Sequence, residues 1–489
     1  MAFFNNPTNN ELKEISSKLP NAAKTAWGNF SIKTRITARS SQFTYFVSDL
    51  PIKRPFVSRG SYNEMALLQD DFISKTDMIE VDGCIGVETP VAVPAQLVVE
   101  KSAANIAAMQ SQLYFSGSDS KDPILKVIYT PNLLPEGFPY SILIAVDLDS
   151  YTTRIFGTDY FGESKKAGLR MWNKWVYDQG GLALHAGCKT YFDPDQKEKS
   201  VIIIGLSGTG KTTTTFNQHF GSLPVQDDFC AIYPDGRIYA SENGCFAKTY
   251  GLNEDNDPII YHALKHQNSW LENVAVRPDG TVDYMDGSYT TNGRGTFSLD
   301  RIPHREPHHL PEVSHILILN RNFDIIPAIA KLSAKQAAEY FMLGETTGTS
   351  AGGSAEAGKS LRVPGTNPFF FANDVLQGQR FAEILQANPD IQVILMNTGC
   401  VGGTADDPRS TKVKVTHSSA LIEVLLSNSI EWKEDPDFHY QIAANSVTVC
   451  PEEITQPEIL YRKQGRLQEY QQILRSLKDL RNEYLKNIW

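Results

Sequence analysis

The chain has 489 residues, 41% of them hydrophobic, enough for two or more sizeable cores at ~100 to 200 residues per domain. Its 46 Lys and Arg against 56 Asp and Glu give a formal charge of −10, so the surface repels a phosphate backbone and nucleic acid is not an expected partner. The six cysteines form no Cys-x-x-Cys pair, no run approaches ~20 apolar residues, and the start Met1-Ala-Phe-Phe-Asn-Asn-Pro7 shows no secretory leader, so reduced thiols and a cytoplasmic chain without a membrane span are expected.

Residues 1–180 mix short strand-like runs with polar turns, among them Gln96-Leu-Val-Val-Glu100, Ile124-Leu-Lys-Val-Ile-Tyr129 and Tyr140-Ser-Ile-Leu-Ile-Ala-Val146. They predict a mixed α/β domain. From Lys199 the texture changes: Ser200-Val-Ile-Ile-Ile-Gly205 is an apolar, β-branched run opening into a Gly-rich turn, as a buried parallel strand feeding a helix would be. Residues 181–489 are therefore assigned to a second α/β domain that binds a mononucleotide, giving a two-lobed α/β protein. Strands are predicted at His315-Ile-Leu-Ile-Leu319 and Gln392-Val-Ile-Leu-Met396, and helices at Ala334 to Leu343 and Ser418 to Leu426.

Gly344 to Gly358 is rich in Gly, Ser, Thr and Ala and too poor in apolar residues to form a core. It reads as a surface loop or a mobile lid, and its place in the nucleotide-binding half favours a lid over 344–362. Pro303-His-Arg-Glu-Pro-His-His309 reads as a proline-bounded solvated loop rather than a metal site. Over 456–489, Leu467, Tyr470, Leu474, Leu477, Tyr484 and Ile488 recur at helical spacing and predict an amphipathic helix packed on its own domain, since Arg481 interrupts any coiled-coil seam.

Gly205-Leu-Ser-Gly-Thr-Gly-Lys-Thr212 is a phosphate-loop pattern in its proper place after a predicted strand. Its glycines let backbone N–H groups converge on phosphate oxygens, Lys211 supplies a point charge, and Thr212 a hydroxyl for a divalent cation. Leu223-Pro-Val-Gln-Asp-Asp228 ends in two carboxylates suited to Mg²⁺ or Mn²⁺, or else forms a polar turn. Upstream, Gly157-Thr-Asp-Tyr-Phe-Gly-Glu-Ser-Lys-Lys166 and His185 read, taken alone, as a solvated lysine pair and a core histidine.

These motifs, with Glu242-Asn-Gly-Cys-Phe-Ala-Lys248, Leu271-Glu-Asn-Val274, Asn397-Thr-Gly399 and Thr37-Ala-Arg-Ser40, occur in an order that resembles ATP-dependent phosphoenolpyruvate carboxykinase. The resemblance implies conversion of oxaloacetate and ATP to phosphoenolpyruvate, CO₂ and ADP, serving gluconeogenesis or, in reverse, CO₂ fixation. It implies small-molecule partners alone, in a monomer or small homo-oligomer. It assigns Mn²⁺ to Lys166, His185 and Asp228, and the Mg²⁺ of ATP to Thr212 with Asp227 nearby. Arg39 and Arg294 would clamp the substrate, with Tyr160 and Ser207 also touching it. Leu206, Ser207, Gly208, Thr209, Gly210, Lys211, Thr212 and Thr213 would hold the triphosphate, aided by Lys248, Glu272 and Arg294. Lys412, Val413 and Ser418 would lie by the nucleoside. Lys166 would have to bind as the neutral amine, its proton loss favoured by the metal, by Lys165 and by nearby arginines.

The chain departs from the family at Ser40-Ser-Gln-Phe43, Phe229-Cys-Ala-Ile232, Asn243 and the Lys412-Val413 stretch, so the triphosphate and metal groups are kept better than the base pocket. Rival readings are a phosphate-loop kinase or phosphorylase of a protein or another oxyacid, a carboxykinase using GTP or pyrophosphate, and a nucleotide-binding regulatory protein that has lost turnover, against which the intact Lys166, His185, Lys211 and Asp228 argue.

Overall fold

A computed structural model describes residues 2–117, 122–206, 208–255, 257–348, 358–444, 447 and 450–488. The chain divides into two compact units: residues 1–176 with 241–303, and residues 177–240 with 304–489. The continuous boundary expected at 180 is therefore corrected, because 241–303 belongs with the first unit. The reason is backbone pairing: Trp270–Glu272 runs parallel to Phe30–Ile32, which in turn pairs antiparallel with Ala22–Lys24. Arg294–Ser298 and Gly244–Lys248 complete this five-stranded sheet.

The first unit also holds an eight-stranded mixed sheet among its described residues. Of its inner strands, Val93–Glu100 contains the run Gln96–Glu100, Leu125–Thr130 starts one residue later than the run from Ile124, and Leu143–Asp147 starts three residues later than the run from Tyr140, with Thr152–Phe156 lying between the last two. Alternate residues of Val93–Glu100 (Val93, Ala95, Leu97, Val99) are buried, the period-two signature of a strand with one fully covered face.

In the second unit the strands Glu198–Ile204, Val313–Asn320 and Gln392–Asn397 lie side by side and parallel, in the register Ile203 to Leu317 to Ile394. Such strands are covered on both faces, which is why they read as unbroken Ile, Leu and Val runs. Full burial of each such side chain contributes about 1.5–3 kcal/mol. Helix Ala334–Leu343 has the predicted bounds. Ser333 and Gln336 form its capping box, and Gly344 ends it at φ 45°, where an added Cβ would lie 1.7 Å from the Val363 carbonyl oxygen. The predicted helix at Ser418 starts slightly earlier and spans Val415–Leu426. The lid expected over 344–362 is described only at its ends, where Glu345–Thr347 pairs with Ser360–Arg362; residues 349–357 lie outside the described residues.

The single C-terminal helix expected over 456–489 is two helices, Pro457–Lys463 and Leu467–Ile488. Gly465 separates them at φ 69°, with Arg466 N–H donating to Tyr461 O and Gly465 N–H to Arg462 O, the paired bonds of a Schellman stop. Arg481 is an anchor of the second helix rather than an interruption. It is 6% exposed, donates from Nε to Glu345 Oε2 at 3.1 Å and from Nη1 to the Tyr340 hydroxyl at 2.9 Å, and pairs again with Glu345 through Nη2. All six cysteines are buried and unbridged. Among the described residues no helix is long and apolar enough to cross a membrane.

Candidate active site

In the second unit, strand Glu198–Ile204 delivers the chain into the phosphate loop, and helix Lys211–Phe216 follows it. Gly208 and Gly210 take φ values of 85° and 94°, which only glycine adopts without strain. A Cβ on Gly205 would stand 2.4 Å from the Thr209 hydroxyl, so the tight turn excludes any larger residue there. Leu206, Thr209, Thr212 and Thr213 complete the described part of the loop; Ser207 lies outside the described residues. The Thr398 hydroxyl, on the turn after Gln392–Asn397, reaches Thr209 O at 2.9 Å and ties the loop to the central sheet.

Lys211 opens the helix and its ammonium donates to Asp228 O at 3.3 Å and Oδ1 at 3.4 Å. His185 is the one residue between strands Leu182–Leu184 and Ala186–Phe192, and its Nε2 stands 3.1 Å from the same Asp228 Oδ1. The other ring nitrogen, Nδ1, lies 2.9 Å from the Thr366 carbonyl and donates to it. Phe229 and Phe369 flank the ring at 5.1 and 5.7 Å between centroids. Asp227 is buried next to Asp228. Val413 is buried and donates its N–H to Gly399 O, Lys412 is exposed, and Ser418 lies in the first turn of helix Val415–Leu426.

These groups fit a divalent cation. With Nδ1–H committed to a carbonyl, Nε2 is the nitrogen left to ligate, the arrangement common to metal-binding histidines. The 3.1 Å between Nε2 and Oδ1 matches adjacent corners of an octahedron with bonds of about 2.1 Å. Among the described residues no group of three or more His, Cys, Asp and Glu gathers for a metal.

The first unit carries the remaining expected residues. Lys248, Arg294 and Glu272 occupy one register row on three neighbouring strands and so share a face of the five-stranded sheet. The Arg294 guanidinium lies 5.3 Å from the Phe246 ring centroid and donates to Asn292 Oδ1 at 2.9 Å, while its buried Nε has no hydrogen-bond partner among the described residues. Burial, with Arg294 beside it, pulls the Lys248 ammonium below the usual lysine range. Asn292 donates to Thr37 O at 2.7 Å and to the Tyr160 hydroxyl at 3.3 Å, joining Tyr160 to the segment that carries Arg39. Ser40 N–H donates to Glu163, fixing the other side of Arg39.

Lys165 and Lys166 are both buried on helix Phe161–Asp178. Lys165 forms an ion pair with Glu242, which neutralises the charge expected to drive a proton off Lys166. That part of the sequence argument is corrected. Asn292, Glu163, Thr366 and Thr398 were not read from sequence. Each but Thr366 sits beside a residue or inside a motif that was read, Asn292 next to Arg294, Glu163 within Gly157–Lys166 and Thr398 within Asn397-Thr-Gly399.

Glu272 is wholly buried, and its Oε1 accepts the Phe161 N–H at 2.9 Å, at the start of helix Phe161–Asp178. Burial raises its carboxyl from 4.5 to about 8. Between these values the folded chain holds a proton that the unfolded chain has released. The contribution to stability is thus fully present below about pH 4.5 and is lost as pH rises through about 8, at about 1.4 kcal/mol per unit. Glu272→Gln keeps the acceptor for Phe161 and removes the titration. The ligand-free variant is expected to gain on the parent from about pH 5 to about pH 8 in urea unfolding, and parallel curves would refute the assignment.

A strand, a glycine-rich turn and a helix opened by Lys211, with a carboxylate shared by that lysine and a histidine, define a phosphate-loop nucleotide-binding protein. A family model described as phosphoenolpyruvate carboxykinase matches residues 1–453. The chain belongs to the phosphoenolpyruvate carboxykinase family, whose ATP-dependent members work with divalent metals. It is 29% identical over 431 residues to phosphoenolpyruvate carboxykinase (ATP) of Aeropyrum pernix, covering 86% of this chain and 82% of that one. The protein of the same name from Campylobacter jejuni is 31% identical over 308 residues, 62% of this chain and 56% of that one. That from Brevibacillus brevis is 28% identical over 434 residues, 83% of this chain and 78% of that one.

Proposed function

We propose that the chain performs its family's reaction with the groups described above. It is an ATP-dependent phosphoenolpyruvate carboxykinase: oxaloacetate loses CO₂, and the enolate oxygen left behind takes the γ-phosphoryl group of ATP, giving phosphoenolpyruvate and ADP. The observation that carries the reading is Asp228, shared between the phosphate-loop lysine and a histidine whose Nδ1–H is already engaged. The kinase or phosphorylase reading is not favoured, since the family match runs over residues 1–453.

In this reading the N–H groups of residues 206–213 cradle the triphosphate, and Lys211 neutralises charge on its outer phosphates. The Thr212 hydroxyl, with Asp227 nearby, holds the Mg²⁺ that accompanies ATP. His185 and Asp228, with Lys166 as the neutral-amine ligand, hold Mn²⁺. Bound divalent cations supply positive charge where negative charge builds on oxygen. Arg39 and Arg294 grip carboxylate and phosphoryl oxygens with forked guanidinium groups, and the partnerless Arg294 Nε supports an anion there. Tyr160, buried and held by Asn292, lies against the carboxylate that departs as CO₂. Ser207 touches substrate. Lys248 and Glu272 support the nucleotide phosphates, and Lys412, Val413 and Ser418 the nucleoside. Alignment and charge neutralisation suffice, without a covalent nucleophile. A cytoplasmic location fits these substrates.

The test mixes purified protein with oxaloacetate and Mn²⁺ and adds ATP, GTP or pyrophosphate in turn. Phosphoenolpyruvate is expected with ATP. No product with any donor would overturn the reaction, and product only with GTP or pyrophosphate would overturn the donor.

A further inference from the structure

Within the second unit a small cavity of about 10 Å³ is walled by Ile318, Leu319 and Leu395 and by the polar residues Asn320, Glu345 and Thr366. Asn320 is 2% exposed and Thr366 3% exposed. Neither the amide nitrogen nor the amide oxygen of Asn320 has a protein hydrogen-bond partner among the described residues, and the Thr366 hydroxyl has none either. Buried polar atoms without partners cost about 1–3 kcal/mol each. Three of them on two residues that line one cavity need a common explanation. The volume is at the lower limit for one water molecule, and the wall offers the two to four polar partners that a buried water requires.

The backbone of Thr366 touches His185, and that of Asn320 reaches the phosphate loop through Thr398. Thr366 sits at φ 50°, a left-handed conformation unusual for a β-branched residue, and in that conformation its carbonyl accepts His185 Nδ1–H at 2.9 Å. The Asn320 carbonyl accepts from Thr398 N–H at 2.9 Å and lies 3.0 Å from the Thr398 hydroxyl, which is itself 2.9 Å from Thr209 O in the phosphate loop. Asn320 and Thr366 thus both line the cavity, Asn320 with its main chain bonded to Thr398 beside the phosphate loop and Thr366 with its main chain on the histidine.

We propose that a buried water bridges the Asn320 amide and the Thr366 hydroxyl, and that this bridge holds the Thr366 peptide in the strained orientation that engages His185 Nδ1–H. Asn320 and Thr366 are then positioning residues for the ligating face of His185, a role that rests on the proposed metal reading of that histidine. Metal-ligand histidines lose about 10- to 100-fold in affinity when the partner of their second nitrogen is disturbed. The strain at Thr366 gives the water its function, because without a third contact that peptide has an easier conformation available.

The test has two readouts on metal-free and nucleotide-free protein: the ¹⁵N spectrum of the His185 imidazole, assigned by loss of its signals in His185→Gln, and the Mn²⁺ affinity by titration. Asn320→Leu removes both amide atoms and keeps the main-chain contacts. It is expected to shift the His185 Nδ1 signal and to weaken Mn²⁺ binding about tenfold. Asn320→Asp, which still offers the water an oxygen, is expected to restore both. Thr366→Val, close to isosteric, removes only the hydroxyl and covers the case in which Asn320→Leu does not fold. An unchanged His185 spectrum in Asn320→Leu or Thr366→Val, with a raised melting temperature, would overturn the bridge, because apolar groups then simply fill a dry hole. A shifted spectrum with normal Mn²⁺ affinity would support the bridge and overturn the metal role of His185.

Discussion

Lys211→Ala is expected to lower the rate of phosphoenolpyruvate formation about 10³-fold while leaving the fold intact, a loss of about 4 kcal/mol of transition-state stabilisation. Phosphoryl transfer asks the protein for little beyond alignment and charge neutralisation, so a cation fixed at the phosphate loop carries a large share of the catalysis. Lys211 is fixed by two contacts to Asp228, one to its carbonyl and one to Oδ1. The Asp228 side chain is 17% exposed, so water reaches its carboxylate once the ammonium is gone and the melting temperature should change little. Steady-state kinetics beside thermal unfolding check this. A variant that keeps a tenth of the parent rate would sink the role of Lys211, and one that unfolds would assign it to stability instead.

Asp228→Asn is expected to weaken Mn²⁺ binding by more than about 100-fold, since it replaces the anionic donor of the cation site and exceeds the loss from disturbing an outer partner. Lys166→Met provides the companion measurement. If Lys166 ligates as the neutral amine, its loss abolishes Mn²⁺ binding and leaves ATP binding largely unchanged. Because Lys165 is paired with Glu242, the cation itself must supply most of the push that strips the Lys166 proton. Titration of nucleotide-free protein with Mn²⁺ reads both variants. Unchanged affinity in Lys166→Met removes that residue from the ligand set, and unchanged affinity in Asp228→Asn removes the site.

What the sequence revealed was mostly local. The phosphate loop is contiguous, its glycines are required by positive φ, and the parallel strand before it is buried on both faces, so composition and spacing reported it directly. Helix Ala334–Leu343 was legible for the same reason, with its cap at one end and Gly344 at the other. The membership of 241–303 was hidden because it depends on Trp270–Glu272 pairing with Phe30–Ile32, a contact between distant segments that no periodicity records. Gly465 did carry a stop signal, yet the apolar spacing on either side outweighed it in the reading. Thr366 acts on His185 through a carbonyl, which every residue possesses, and so left no side-chain signature. Arg481 looked like a flaw in an apolar stripe because its partner Glu345 lies on a distant strand.

The discontinuous first unit has a consequence for the order in which the chain matures. As the chain leaves the ribosome, strand Phe30–Ile32, paired on one side with Ala22–Lys24, has no neighbour for its open edge until Trp270–Glu272 is made. Between them the ribosome delivers residues 177–240, which belong to the other unit. An exposed strand edge that waits for a distant partner is a place where chains stick to one another. Synthesis of this chain therefore includes a stretch, ending near residue 272, in which a strand edge of the first unit waits unpaired and is open to aggregation and chaperone capture.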